Sequence, residues 1–326
     1  MLGQVLEPVQ IADMIEAEQR IRKVFPASPL LSMALLNKQL GANVYLKAES
    51  LLPSAAYKFR GATNKITTLI EKYGPDIRII TASSGNHGMA CALAAARLGI
   101  QATVVVPEPT PQIKKDCIRA LGAELVESGI NYDISFLTAC KLADEQKMYY
   151  VHPVSDRYTL AGQGTITLEL LRQLPEVDQV IVPLGGGGLI TGISYAMKHL
   201  KPSVKIVGVM PEDSAVYVES RKAGRLVTLD HASSIADACV RVGGEEYLFP
   251  YIEKYVDELV TVTEDNIRKA IKTACLYAKL TLEGAAAMAL ASLIEGKTTA
   301  TDHTVLICSG GNIDQTVLEA CLKMPL

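Results

Sequence analysis

Apolar positions recur along the chain with two periods, and the alternation between them predicts strands separated by helices. Residues 9–24 set apolar and charged side chains at helical spacing, which predicts an amphipathic helix. Residues 43–47 suggest a short strand, and residues 58–72 a helix entered from a turn around Pro53 and Ser54. A regular series then follows. Short apolar runs at 77–82, 102–106, 123–126 and 148–151 read as strands. Between the first two lies an alanine-rich helical stretch at 86–98, stopped by Gly99. Thr110 followed by Pro111 has the chemistry of a helix start. The pattern restarts with a helix at 160–174, a strand at 179–183, a glycine turn into a further helix, and a strand at 205–209. Residues 211–257 carry no clear period. Thr263 caps another helix with Glu264 and Asp265 in its first turn, Glu283 opens an alanine-rich one, and residues 303–308 form a last strand.

Strands alternating with helices imply βαβ units and mainly parallel sheets, so the fold class is α/β, arranged as two αβα lobes. The expected organisation is a large domain of residues 1–53 and 153–326 and a small one of 54–152.

Composition narrows the class of function. With 49% hydrophobic and 21% charged residues the chain can bury a sizeable core. A net charge of -3 without a basic run argues against nucleic acid or an anionic membrane as partner. The most apolar region, 89–107, is interrupted by Arg97 and Gln101, too broken to span a bilayer. Seven scattered cysteines without C-x-x-C spacing argue against a disulfide framework or a zinc site. No signal-peptide pattern is visible at the N-terminus, so a soluble cytoplasmic protein is expected.

Three polar turns fall where strands give way to helices: Thr81–Gly88, Gly185–Gly188 and Ser309–Asn312. In open α/β sheets, ligands bind at the carboxyl ends of strands. The run Gly185-Gly186-Gly187-Gly188 lets an anion approach the N–H groups of a helix start. Its spacing fits neither a dinucleotide fingerprint nor a P-loop, so a single phosphate monoester suits it better than NAD or ATP. A tight turn for helix–strand packing is the alternative, but four consecutive glycines favour the phosphate. Ser83-Ser84-Gly85-Asn86-His87-Gly88 is a second set of donors, suited to a carboxylate, with an ordinary helix cap as its alternative. Lys58 stands between Tyr57 and Phe59 near a helix start, where desolvation favours the neutral, nucleophilic amine. Alone, it reads as a surface lysine.

Taken in order, these motifs resemble the threonine dehydratase and serine racemase group of pyridoxal phosphate (PLP) enzymes, with the tryptophan-synthase-β-like fold (fold type II). The resemblance runs over nearly the whole chain. Its motifs are Lys58-Phe59-Arg60-Gly61-Ala62, Ser83 to Gly88, Ala161-Gly162-Gln163-Gly164-Thr165, Val182 to Leu189, Ile235-Ala236-Asp237 and Ser309-Gly310-Gly311-Asn312. It implies PLP in the cleft between the lobes, with Lys58 as its Schiff-base lysine and the base for the α-proton. Ser84 would be the acid/base on the opposite face of the cofactor, and Asn86 would bond its phenolic oxygen. Gly185, Gly186, Gly187 and Gly188 would hold its phosphate, and Ser309 would face the pyridine nitrogen. Ser83, Ser84, Gly85, Asn86 and His87 would hold the amino-acid substrate. The implied activity is loss of water and then ammonia from a 3-hydroxy amino acid, in a cytoplasmic homodimer. A serine-type racemase needs the same Lys58 and Ser84 pair. A nicotinamide-dependent oxidoreductase is disfavoured by the glycine spacing, and a non-catalytic binding protein by the presence of Lys58, Ser84 and Ser309.

Departures from the family pattern bear on substrate and metal. The family usually has Gly-Ser-Phe before the lysine, where this chain has Ala55-Ala56-Tyr57. The loss of a hydroxyl, with a bulkier Phe59, suggests a larger or aromatic β-substituent, such as that of phenylserine. Relatives that bind a divalent cation use an acidic residue where Met210 stands, with further ligands where Ser214 and Val216 follow. Methionine is a poor ligand for magnesium or calcium, so no divalent metal is expected. With a short stretch after Asn312, no regulatory domain is expected.

Overall fold

The computed structural model describes residues 7–325. In chain order its elements are α1 (Ile11–Arg22), β1 (Leu30–Ser32), α2 (Ala34–Leu40), β2 (Val44–Ala48), α3 (Lys58–Tyr73), β3 (Arg78–Ala82), α4 (Asn86–Leu98) and β4 (Gln101–Val106). These continue as α5 (Gln112–Ala120), β5 (Glu124–Glu127), α6 (Tyr132–Gln146), β6 (Tyr149–Tyr150), α7 (Arg157–Gln173), β7 (Gln179–Pro183), α8 (Gly188–Leu200) and β8 (Lys205–Pro211). The last are α9 (Val216–Ala223), α10 (Phe249–Tyr255), β9 (Glu258–Val262), α11 (Glu264–Thr273), α12 (Gly284–Ile294), β10 (Thr304–Cys308) and α13 (Gln315–Lys323).

The chain forms two compact units. The first takes Tyr57–Thr165 together with the chain up to Pro26; the second takes Ala27–Ala56 and Ile166–Leu326. These divisions differ from the sequence expectation of 53/54 and 152/153. Helix α1 joins the first unit because Met14 fills the space left by the absent side chain of Gly164 on α7. Arg20 of α1 also reaches Glu71 on α3 at 2.8 Å.

The first unit is built on a parallel four-stranded sheet of order β5-β4-β3-β6. Strands β3 and β4 are buried along nearly their whole length, which explains their continuous apolar runs. Ile80, Ala82 and Val105 form a core with Ala139 and Ala143 of α6. The second unit holds a six-stranded sheet of order β1-β2-β10-β7-β8-β9, parallel except for the edge strand β1. Its core runs through α12, where every residue from Gly284 to Ser292 is buried. Small side chains suit that position, because alanine lets a helix lie close against the sheet.

Local starts follow the sequence closely, with one shift. Thr263 caps α11 through the Asn266 N–H, and Glu283 occupies the cap position of α12. At α5 the cap residue is Pro111 rather than Thr110. None of the seven cysteines forms a disulfide.

Candidate active site

Lys58 opens α3, and its Nζ donates to the carbonyl of Pro153 at 2.6 Å. The ammonium also lies 5.3 Å from the centroid of the Tyr57 ring. The backbone of α3 is brought close to α7 because two glycines meet there. A Cβ on Gly162 would lie 2.7 Å from the Cα of Gly61 and 2.8 Å from the Arg60 carbonyl oxygen. A Cβ on Gly61 would collide with the Gln163 amide and the Thr159 carbonyl. The Ala161–Thr165 motif is therefore a helix-packing device that positions the start of α3. Arg60, fully buried, adds a bond from Nη1 to the Thr165 hydroxyl at 3.0 Å.

The turn after β3 lies in the same unit. Ser83 continues the strand by donating its N–H to the Val105 carbonyl, and its hydroxyl accepts the Gly85 N–H at 3.3 Å. Ser84 and Asn86 are half-buried at the entry to α4. Gly88 must lack a side chain, because a Cβ would strike the Ser83 carbonyl oxygen. The first N–H groups of a helix have no partner within it, so this turn offers an anion a set of backbone donors.

The His87 side chain is buried within the first unit. Its ring is 3% exposed, and Nε2 lies 3.0 Å from the Val151 carbonyl oxygen. Burial, and then the charge of Lys58, push its pKa down to about 3. The neutral ring donates to Val151, so His87 can contribute to carboxylate binding through its backbone rather than through a charged side chain. The segment 151–155 thus anchors both Lys58 and His87. His152 shapes it by accepting the N–H groups of Val154 and Ser155 at 3.2 and 2.8 Å. These anchors are main-chain carbonyls of Val151 and Pro153, for which the sequence carries no residue signal.

In the second unit, Ser309 and Gly185 follow the neighbouring parallel strands β10 and β7. Gly187 adopts φ 91°, in the left-handed region that favours glycine. A Cβ on Gly185 would lie 2.7 Å from the Cα of Cys239 and 2.9 Å from the Ala238 carbonyl oxygen. One on Gly187 would press on Ile252, Tyr217 and Leu248 at 3.1–3.3 Å. The Tyr217 hydroxyl donates to the Gly186 carbonyl and accepts the Glu245 N–H, which ties the turn to the loop before α10. Bare backbone at a helix start, too crowded for side chains, fits the phosphate of PLP. Sequence reasoning missed Ala238, Cys239 and Tyr217 as the surround of this turn.

Ser309 is 3% exposed at the end of β10. The turn beyond it is held by Gly311 N–H to the Ala55 carbonyl at 2.8 Å and by the Asn312 amide to the Ser54 carbonyl at 3.0 Å. Asp237 is exposed and accepts the Ala238 N–H, a loop-shaping role. Met210 is fully buried, and the Ser214 hydroxyl is engaged with the Cys239 carbonyl and the Arg241 N–H.

A family described as pyridoxal-phosphate-dependent enzymes matches residues 21–310. The chain belongs to this family. Among relatives of this PLP enzyme, an L-threonine ammonia-lyase of Thermotoga maritima is 35% identical over 98% of the chain and 79% of its own length. A catabolic L-threonine dehydratase of Staphylococcus aureus (strain USA300) is 39% identical over 97% of the chain and 92% of its own. Solved structures with the same fold include maize serine racemase, at TM-score 0.89 and 31% identity, covering 96% of this chain and 97% of that one. The processed threonine deaminase isoform 2 of Solanum lycopersicum matches at TM-score 0.89 and 33% identity, covering 97% and 90%. The fold is thus that of fold type II PLP enzymes.

Proposed function

We propose that this PLP enzyme is a dehydratase that converts a 3-hydroxy amino acid to a 2-keto acid and ammonia. The observation that carries the reading is Lys58 at the start of α3, held by the Pro153 carbonyl in the same unit as the Ser83–Asn86 turn. Similarity over 97–98% of the chain to an L-threonine ammonia-lyase and an L-threonine dehydratase supports it.

Bound PLP supplies an electron sink for the charge that develops at the substrate's Cα. The residues supply position and proton transfer. The N–H groups of Gly185–Gly188 would hold its phosphate, and the Ser309 hydroxyl would face its pyridine nitrogen. A neutral serine there would not need to protonate the ring, which would temper the sink and suit loss of a β-hydroxyl. Asn86 would bond its phenolic oxygen. Ser83, Gly85 and the backbone of His87 bind the substrate carboxylate. The Lys58 amine takes the α-proton, and the Ser84 hydroxyl is the second proton carrier. The leaving hydroxyl departs as water, and the released enamine hydrolyses to keto acid and ammonia. In this scheme the second unit is the PLP-binding domain, and the enzyme acts as a cytoplasmic homodimer.

Purified enzyme loaded with PLP and given threonine, serine and phenylserine tests the reading. Stoichiometric keto acid and ammonia are expected. The fold match to maize serine racemase favours a second reading, interconversion of enantiomers. Chiral chromatography showing the opposite enantiomer without keto acid would replace the first reading with the second.

A further inference from the structure

Two buried hydroxyls follow β8, and each makes the same pair of bonds. Ser214 is fully buried in the turn between β8 and α9. Its hydroxyl accepts the Arg241 N–H at 2.9 Å and donates to the Cys239 carbonyl at 3.2 Å. Tyr217, in the first turn of α9 and also fully buried, accepts the Glu245 N–H at 2.9 Å and donates to the Gly186 carbonyl at 3.3 Å. Burial raises the Tyr217 pKa to about 12, so the hydroxyl keeps the proton it donates. Between α9 and α10 the chain holds one short 3-10 turn, at Asp237–Cys239. Its course is therefore set by such contacts rather than by a ladder of backbone bonds.

Both bridges bear on the glycine turn after β7. Cys239 is the residue whose Cα would meet a Gly185 Cβ at 2.7 Å, with the Ala238 carbonyl oxygen at 2.9 Å. The loop is thus laid against bare backbone at Gly185, and Ser214 fixes it on the far side of that contact. Earlier in the loop, a Gly284 Cβ would lie 2.6 Å from the Ile235 carbonyl oxygen, and Glu264 accepts the Ile235 N–H at 3.1 Å. Tyr217 acts on the turn itself. A trans peptide is planar with its C=O and N–H antiparallel, so pinning the Gly186 carbonyl to Tyr217 aims the Gly187 N–H the opposite way.

We propose that Ser214 and Tyr217 are positioning residues for the cofactor's phosphate: their two hydroxyl bridges hold Gly185–Gly188 in the shape that recognises a phosphate monoester. This rests on the reading of that turn as the phosphate cradle. Glycine backbone is the most pliant a chain can offer. A cradle built from it binds an anion well when its N–H groups are held in place beforehand, and the bridged loop supplies that order. Loss of either hydroxyl takes a partner from one main-chain N–H and one main-chain carbonyl, and such groups are costly to leave unpaired out of water.

The test uses the full-length enzyme, resolved of its cofactor and titrated by absorption with PLP and with pyridoxal, which lacks the phosphate. Ser214→Ala and Tyr217→Phe each remove one oxygen atom and are expected to raise the PLP Kd about tenfold, with the pyridoxal Kd near that of wild type. Ser214→Thr, which restores a hydroxyl, should recover much of the PLP affinity. A merely structural role would weaken both ligands alike. That result, or a PLP Kd unmoved in both variants, would overturn the inference. Gly185→Ala measured in parallel separates the two readings. If it weakens PLP while neither hydroxyl variant does, the cradle stands and the positioning role falls. If it too binds PLP like wild type, the cradle reading fails and the inference with it. Tyr217→Phe keeps the ring and carries the test alone should Ser214→Ala not fold.

Discussion

Ala55 is one of three non-glycine residues with positive φ among the described residues. It adopts φ 54°, where an L-residue costs about 1–2 kcal/mol and glycine nothing. Its surroundings hold it there. The Ala55 N–H donates to the Leu52 carbonyl at 2.7 Å, its own carbonyl accepts the Gly311 N–H at 2.8 Å, and Ala56 bridges to Gly310. This is the position where the family usually has glycine. Ala55→Gly should relieve the strain, against a loss of about 0.4–1 kcal/mol through the freer unfolded chain. The net expectation is a stabilisation of about 0.5–1 kcal/mol, or roughly 1–3 °C in Tm. Ala55→Val should move the other way, because a β-branched residue tolerates this region worst. Thermal unfolding followed by far-UV circular dichroism on the three proteins gives the order Gly, Ala, Val from most to least stable. A destabilised Ala55→Gly would refute the assignment of strain at this turn.

Other consequences follow from the same contacts. Folded His87 has a pKa of about 3 against 6.5 in an unstrained chain, so the unfolded state takes up a proton that the folded state refuses. The stability it contributes is full above about pH 6.5 and is lost as the pH falls toward 3, at up to ~1.4 kcal/mol per pH unit. Urea midpoints across that range should fall less steeply in His87→Gln than in wild type; an unchanged slope would count against a buried neutral ring. Gly185→Ala should weaken PLP binding about tenfold or more, since its Cβ meets main chain and overpacking costs ~1–3 kcal/mol. Equilibrium dialysis against PLP measures this, and equal affinity would remove Gly185 from the cradle. Lys47 and Glu169, both essentially unexposed, are paired at 2.5 Å, with Lys47 also bound to the Ser28 carbonyl. Lys47→Met should cost about 3–5 kcal/mol by stranding the carboxylate, and adding Glu169→Leu should recover much of it. A double variant no more stable than the single one would contradict a coupled pair.

The parts of the fold legible in the sequence are those buried on both faces. Val180, Ile181 and Val182 of β7 and Val104, Val105 and Val106 of β4 form apolar runs that no loop would carry. The edges of the six-stranded sheet, β1 and β9, escaped because they are short and half-buried: β1 has three residues, and four of the five residues of β9 are intermediate in exposure. Residues 211–257 have no period because long-range polar contacts hold them, such as Ser214 to Cys239 and Tyr217 to Glu245. At the candidate site, glycines and polar turns were readable because each answers a local demand of backbone or anion. What faces them was not. The carbonyls of Val151 and Pro153 look like any others in sequence, and Phe59 is next to Lys58 in the chain while its ring packs on Phe25.

Lys58 remains the residue on which the account turns. Lys58→Ala, prepared with PLP beside wild type, should lose the visible absorption of lysine-bound cofactor and release no keto acid from phenylserine or threonine. Its circular dichroism should stay that of the folded chain. A folded Lys58→Ala protein that still turns over either substrate at a rate near wild type would contradict the central claim.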